Sequence, residues 1–213
     1  MPTALITGAG RGLGAALASA FSAAGYWLIL HSNESEVGAW KGLSVRGDLR
    51  ESRTIDALVL AGTDMGVDIL VNNAGIYESG DIGSTSEERI REVMEVNLIA
   101  PMLLTTRLLP ILKQSRNGMV VNINSMAGKM AAKGESVYAA SKHGLRGFSN
   151  SMKFEGVKIL DVYSGAMQTD MAKDRADFDK LIDPEEASKM IVKLCSFTET
   201  MRIPEIDIAR SNY

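Results

Sequence analysis

A single cysteine among 213 residues excludes an intrachain disulfide. That residue, Cys195, lies in the apolar pattern Met190-Ile191-Val192-Lys193-Leu194-Cys195. Free cysteine is among the most buried residue types, so a structural thiol is expected there rather than a nucleophile. An excess of positive charge is also missing. The chain carries 23 Lys and Arg against 26 Asp and Glu, for a formal net charge of −3, and its basic residues are scattered rather than striped. That balance leaves no electrostatic footprint for nucleic acid. No stretch reaches the roughly 18 uninterrupted apolar residues of a membrane span. The opening Met1-Pro2-Thr3-Ala4-Leu5-Ile6-Thr7 has no charged segment before its apolar run, unlike a secretory signal. A cytoplasmic protein with no nucleic-acid or membrane partner and no metal site is therefore expected. Linkers and internal repeats are absent too, and a 46% hydrophobic content over this length suits one domain spanning 1–213 with a sizeable core.

What is present alternates in period. Ala4 to Thr7 is a short apolar run that breaks into Gly8-Ala9-Gly10-Arg11-Gly12-Leu13-Gly14, followed by a helical pattern from Ala15 to Ala24 and closed by Gly25. A strand, a glycine turn and a helix follow in that order, and amides at a helix N-terminus bind anions where glycines let a phosphate approach. Tyr26 to His31 reads as the second strand and ends in His31-Ser32-Asn33, with neither an acidic nor a basic side chain. An acidic residue there would favour NAD through the ribose hydroxyl, and a basic one would accommodate a 2′-phosphate. Arg11, in the glycine loop, could approach that phosphate instead, which favours NADP; it could equally be a solvated loop residue.

Leu43 to Val45 reads as a third strand leading to Asp48 and Leu49. Asp48 could contact an adenine edge or cap the helix starting near Ser52. The fourth strand, Asp68 to Asn72, runs into Asn73-Ala74-Gly75. Thr85 to Asn97 reads as a helix with Thr85-x-x-Glu88 as its capping box; Pro101 restarts or kinks it, and Met102 to Leu112 continues an apolar face. Met119 to Asn124 is the fifth strand and ends at Ser125. A long helix follows from about Glu135 to Phe154, then a sixth strand from Lys158 to Tyr163, a helix capped by Asp183 and reaching to about Phe197, and a final strand over Glu205 to Ala209. This alternation predicts an α/β protein, a doubly wound parallel sheet of about seven strands with helices on both faces. Ligands on such sheets bind beyond the carboxyl ends of the strands, where every polar motif above falls.

The long helix places Tyr138 and Lys142 four residues apart, on one face. A phenol exchanges protons poorly at neutral pH unless a cation stabilises its ionised form, and Lys142 could supply that cation. Any helix surface can carry such a pair, so the surrounding motifs decide its meaning.

Thr7-Gly8-x-x-x-Gly12-x-Gly14, Asn72-Asn73-Ala74-Gly75, Asn97, Ser125 and Tyr138-x-x-x-Lys142 together resemble the short-chain dehydrogenase/reductase family, in a shortened, Rossmann-like form. The resemblance implies hydride transfer between NADP, or NAD, and a carbonyl or secondary alcohol. It assigns Tyr138 as general acid and base, Ser125 as the hydrogen-bond partner of the substrate oxygen, Lys142 as the group that lowers the Tyr138 pKa and binds the nicotinamide ribose, and Asn97 as the holder of a relay water. By the same resemblance Gly8, Arg11, Gly12, Leu13, Gly14, Ser32, Asn33, Asp48, Leu49, Asn73, Ala74, Gly75, Tyr138, Lys142, Gly165, Met167 and Thr169 line the cofactor. It also implies a homodimer, or a tetramer, through the helices of Met102 to Leu112 and Ser141 to Phe154. Ser164-Gly165 stands where the family has Pro-Gly, which is expected to loosen that loop. Around 169–183 only a short substrate lid remains, and Met126, Ala127, Met130 and Met167 are expected in the substrate pocket. The altered dipeptide and the short lid suggest one alternative, a dinucleotide-binding regulator with little or no turnover.

Overall fold

The computed structural model describes residues 1–35, 37–38, 40–130, 133–196 and 201–211. Its strands are β1 (Thr3–Ile6), β2 (Trp27–Ser32), β3 (Gly42–Arg46), β4 (Ile69–Asn72), β5 (Met119–Ser125), β6 (Lys158–Ser164) and β7 (Glu205–Ile208). They form one sheet in the order β3-β2-β1-β4-β5-β6-β7, parallel throughout. Helices α1 (Gly12–Ala23), α2 (Ser52–Asp64), α3 (Glu87–Met94), α4 (Ala100–Gln114), α5 (Ser136–Met152) and α6 (Pro184–Cys195) supply the crossovers. A sheet covered on both faces needs strands that are apolar all round, and every residue of β1 and β4 is buried. Leu17 and Phe21 of α1 and Ile191 of α6 pack on one face. Leu58 of α2 and Leu104, Leu108 and Leu112 of α4 pack on the other. The predicted α/β sheet is therefore observed; the described part of the β2–β3 connection contains no helix.

Several boundaries differ for local reasons. The capping box is displaced by one residue: Thr85 closes a short 3₁₀ turn over Ile82–Ser84, and Ser86 caps α3 by accepting from the Arg89 amide at 3.2 Å. Asp48 does not cap α2, whose N-cap is Glu51 without a side-chain bond; its carboxylate takes the Arg50 amide and guanidinium at 2.9 and 2.6 Å. Pro101 restarts the fourth crossover, as one of the expected alternatives has it. It sits in the first turn of α4, where its missing amide is tolerated, and α3 joins α4 through a π-helical turn over Glu95–Ile99. The resulting rod, Glu87–Gln114, is long and apolar enough by length and composition to cross a membrane, yet Leu104, Leu108 and Leu112 on it face the core. Asp183 caps α6 as expected through the Glu185 amide at 2.8 Å; the expected end at Phe197 lies outside the described residues, and α6 stops at Cys195, a buried thiol.

The strand face toward α4 and α5 also holds buried polar groups. The Asn72 amide donates to Thr105 and Asn122, at 3.2 and 2.8 Å. Ser149 and the Asn122 amide both donate to Asp161, at 2.7 and 3.2 Å. Bonding one another offsets part of the cost of burial, although Asn72 Oδ1 and Asp161 Oδ2 keep no partner among the described residues, and the chain of bonds ties β4, β5 and β6 to the helices.

Two glycines separate steric clash from backbone strain. A Cβ on Gly14 would lie 2.0 Å from the Gly8 carbonyl oxygen, whereas one on Gly66, at φ +62°, would touch nothing within 4 Å. Urea unfolding should show Gly66→Ala costing about 1 kcal/mol and Gly14→Ala at least about twice that, since a backbone atom must move. Equal costs would contradict the packing described.

Candidate active site

All but one of the predicted site residues meet in one open cleft of about 1270 Å³ along the carboxyl ends of the strands. The exception is Asn97, which is buried behind the cleft wall.

One end of the cleft is the glycine loop. Gly8 and Gly12 adopt φ of +67° and +53°, conformations that favour glycine. The loop is held from below by side chains. Thr7 Oγ1 accepts the Asn73 and Ala74 amides at 3.0 and 3.1 Å, and Asn73 Nδ2 donates to the carbonyls of Thr7 and Gly8 at 2.8 and 3.1 Å. His31, read from sequence only as an uncharged strand end, is a further support. Its Nδ1 accepts the Gly8 amide at 3.2 Å, so Nε2 carries the proton and donates to Gly47 O at 2.9 Å. Burial lowers its pKa, which keeps this neutral tautomer. The first turn of α1 has no side-chain cap and no acidic residue. Its amides and its dipole are left for an anion, and a Cβ on Gly12 would run to 3.1 Å from Thr169 across the cleft. These residues fit the pyrophosphate of a dinucleotide. Arg11 pairs with Asp170 at 3.2 Å with both side chains largely exposed, a contact worth little energetically.

The other end is the phenol. Tyr138 is 8% and Lys142 5% exposed. Burial pushes the Tyr138 pKa up to about 12, opposed by a hydrogen bond from Ser125 and reinforced by Glu135 and Tyr77. Lys142, expected to pull that pKa down, places its ammonium over the phenol ring, 5.8 Å from the centroid, and donates to the Ile123 carbonyl at 2.9 Å. Burial lowers the Lys142 pKa to about 8. The Asn97 amide is committed to structure, giving and taking hydrogen bonds with Ile76 at 2.9 and 2.7 Å and donating to Ser141 at 3.1 Å. It sits in the π-helical turn, a local irregularity common at functional sites. Asn124, which carries no motif signal, accepts the Ser125 amide at 2.9 Å and donates to the Lys142 carbonyl at 3.2 Å, fixing strand end to helix.

The loop carrying Ser164 keeps its backbone contacts. Ser164 stands in register with Ser125 and Ile208, the Gly165 amide donates to Ile208 O at 2.9 Å, and Met167 bridges Ile182. Serine keeps the amide that proline would lack, so strand β6 extends through it.

A Rossmann-type cleft with an anion-binding helix start at one end and a buried phenol beside a hydroxyl at the other defines a dinucleotide-dependent proton- and hydride-transfer protein. The model of the short chain dehydrogenase family matches residues 2–180, and the chain belongs to that family. It is 36% identical over 184 residues to the 3-oxoacyl-acyl-carrier-protein reductase FabG of Vibrio cholerae, covering 80% of this chain and 75% of that one. To the ketoacyl reductase HetN of a Nostoc species it is 34% identical over 212 residues, covering 90% and 74%. A metagenomic short-chain oxidoreductase solved in complex with NADP superposes with a TM-score of 0.84 at 26% identity, over 99% of this chain and 97% of that one. The chain is thus a short-chain oxidoreductase.

The Lys142 shift sets a stability test. An unfolded lysine stays protonated to about 10.5, whereas the folded one releases its proton near 8. The unfolded state therefore binds more protons between those values, so this contribution rises with pH above 8 and is lost as pH falls through it. From pH 8 to 10, wild type should gain roughly 2 to 3 kcal/mol relative to Lys142→Met in urea unfolding; a constant difference would contradict the burial assigned to the ammonium.

Proposed function

We propose that this chain reduces a carbonyl to a secondary alcohol with NADPH. The observation that carries the reading is that Tyr138 and Ser125 lie in the same cleft as the uncapped start of α1. The dinucleotide, when bound, supplies or accepts a hydride. Gly8, Gly12, Gly14 and the α1 amides would hold its pyrophosphate, Asp48 and Leu49 its adenine side, and Lys142 its nicotinamide ribose. A phenol whose pKa is raised is protonated at neutral pH, the form that donates. Tyr138 gives its proton to the carbonyl oxygen as negative charge develops there, and Ser125 hydrogen-bonds the same oxygen. The reductase names of the relatives and the NADP in the metagenomic structure support this direction and cofactor.

The preference for NADP rests on Arg11, whose weak exposed pair with Asp170 can be exchanged for a 2′-phosphate. The segment 169–183, which carries short turns at Asp170–Ala172 and Phe178–Lys180, serves as the substrate lid. Met126, Met130 and Met167 beside it offer soft apolar contacts to the substrate. Cytoplasmic residence fits a chain with one cysteine, which is buried.

Steady-state kinetics with NADPH, NADH and a panel of ketones and 3-oxoacyl thioesters test this reading. Tyr138→Phe should lose about 10²- to 10⁴-fold in kcat/KM, and Arg11→Ala should weaken NADPH by about tenfold while leaving NADH unchanged. Undiminished turnover by Tyr138→Phe would refute the proton-donor role. Pairing of two copies through α4 and α5, where Leu103 is 44% exposed, completes the proposal. Light scattering should give twice the chain mass at micromolar concentration, and a monomer would reject it.

A further inference from the structure

Helix α5, which carries Tyr138, starts at an unfavourable residue. Glu135 occupies its N-cap, a position that prefers Ser, Thr, Asp or Asn, and makes no capping bond to its own helix. Its carboxylate instead accepts the hydroxyl of Tyr77 at 2.7 Å. The Tyr77 ring meets the Tyr138 ring edge to face, with centroids 5.1 Å apart and planes at 75°. Tyr77 is itself anchored: its carbonyl accepts Arg89 Nη2 at 2.9 Å, and Arg89 is locked between Glu78 and Glu92. The amide of Gly80 donates to Gly134 O at 2.8 Å, closing the same two segments together a second time. A helix that forgoes its cap beside the reacting residue departs from local preference where function is expected.

We propose that Tyr77 and Glu135 are a positioning pair for Tyr138: Glu135 holds the Tyr77 hydroxyl, and the Tyr77 ring buttresses the edge-on orientation of the reacting phenol. This rests on the role given to Tyr138 above and adds residues that touch it without reacting. The pair also acts electrically. The groups around the phenol are Glu135 and Lys142 from α5, Tyr77 from the loop after β4, and the uncharged Ser125 from the end of β5, while Arg175 from the 169–183 segment faces Tyr77 and Glu135. Glu135 is the anion of this set near the phenol. It disfavours the ionised phenol and so adds to the upward shift that burial already imposes on Tyr138.

The experiment labels tyrosine with ¹³C at Cζ and titrates the Tyr138 resonance, assigned by its loss in Tyr138→Phe, in the full-length protein. Glu135→Gln should move the Tyr138 midpoint down by about half to one pH unit, a shift suited to a partly solvated charge at this range. Tyr77→Phe, which keeps the ring but releases the carboxylate, should move it in the same direction by less. The double variant should equal Glu135→Gln alone, because the two act as one unit. In turnover, both variants should lower kcat more than they raise KM, and the limb of the alcohol-oxidation pH profile set by the phenol should follow the resonance. An unmoved resonance in both variants would overturn the pair's role. Should Glu135→Gln fail to fold, Tyr77→Phe decides alone. A protein that turns over no substrate would defeat the proposed activity, while the resonance titration would still decide this inference.

Discussion

The cleft depends on one close crossing of backbones. Gly8, at the end of β1, passes so near the turn after β4 that a Cβ on it would lie 2.9 Å from Ala74 Cα, and Gly14 at the start of α1 closes onto the Gly8 carbonyl. With no side chain between them, Asn73 can donate across the gap twice, from its backbone amide to Thr7 Oγ1 and from its side-chain amide to the Thr7 carbonyl. That junction sets where α1 begins and hence where its free amides point. The anion site is therefore a consequence of packing that happens to be too tight for any residue but glycine.

From this junction the other end of the site follows through main-chain ties. Asn97 fixes Ile76, two residues after the Asn73-Ala74 turn, and reaches Ser141 on α5. Asn124 fixes the Lys142 carbonyl to the strand end that presents Ser125. Phenol, hydroxyl and glycine loop are thus positioned through amide side chains. Preorganisation of this kind is what lets a buried donor act without rearrangement at the moment of transfer.

The fold and the chemical ends of the site were legible because period and spacing encode them. Glycine spacing marked the loop, and the four-residue offset from Tyr138 to Lys142 marked a shared helix face. What sequence could not carry was direction and partner choice. Lys142 does place its ammonium over the phenol ring, 5.8 Å from the centroid, but spacing could not show that it also donates to the Ile123 carbonyl. Asp48 was open to a capping role, yet Arg50 two residues on claims its carboxylate. Thr85 and Ser86 are both competent caps, and a 3₁₀ turn decided between them. His31, Tyr77 and Glu135 belong to no motif, because their roles arise from contacts between segments far apart in the chain.

A crystal structure of the protein with NADP bound tests the central claim, that one cleft joins the anion-binding start of α1 to the Tyr138 phenol. The account predicts the pyrophosphate on the α1 amides and the nicotinamide between Thr169 and the Ser125 and Tyr138 hydroxyls. A nucleotide bound with its nicotinamide away from Tyr138, or outside this cleft, would contradict it.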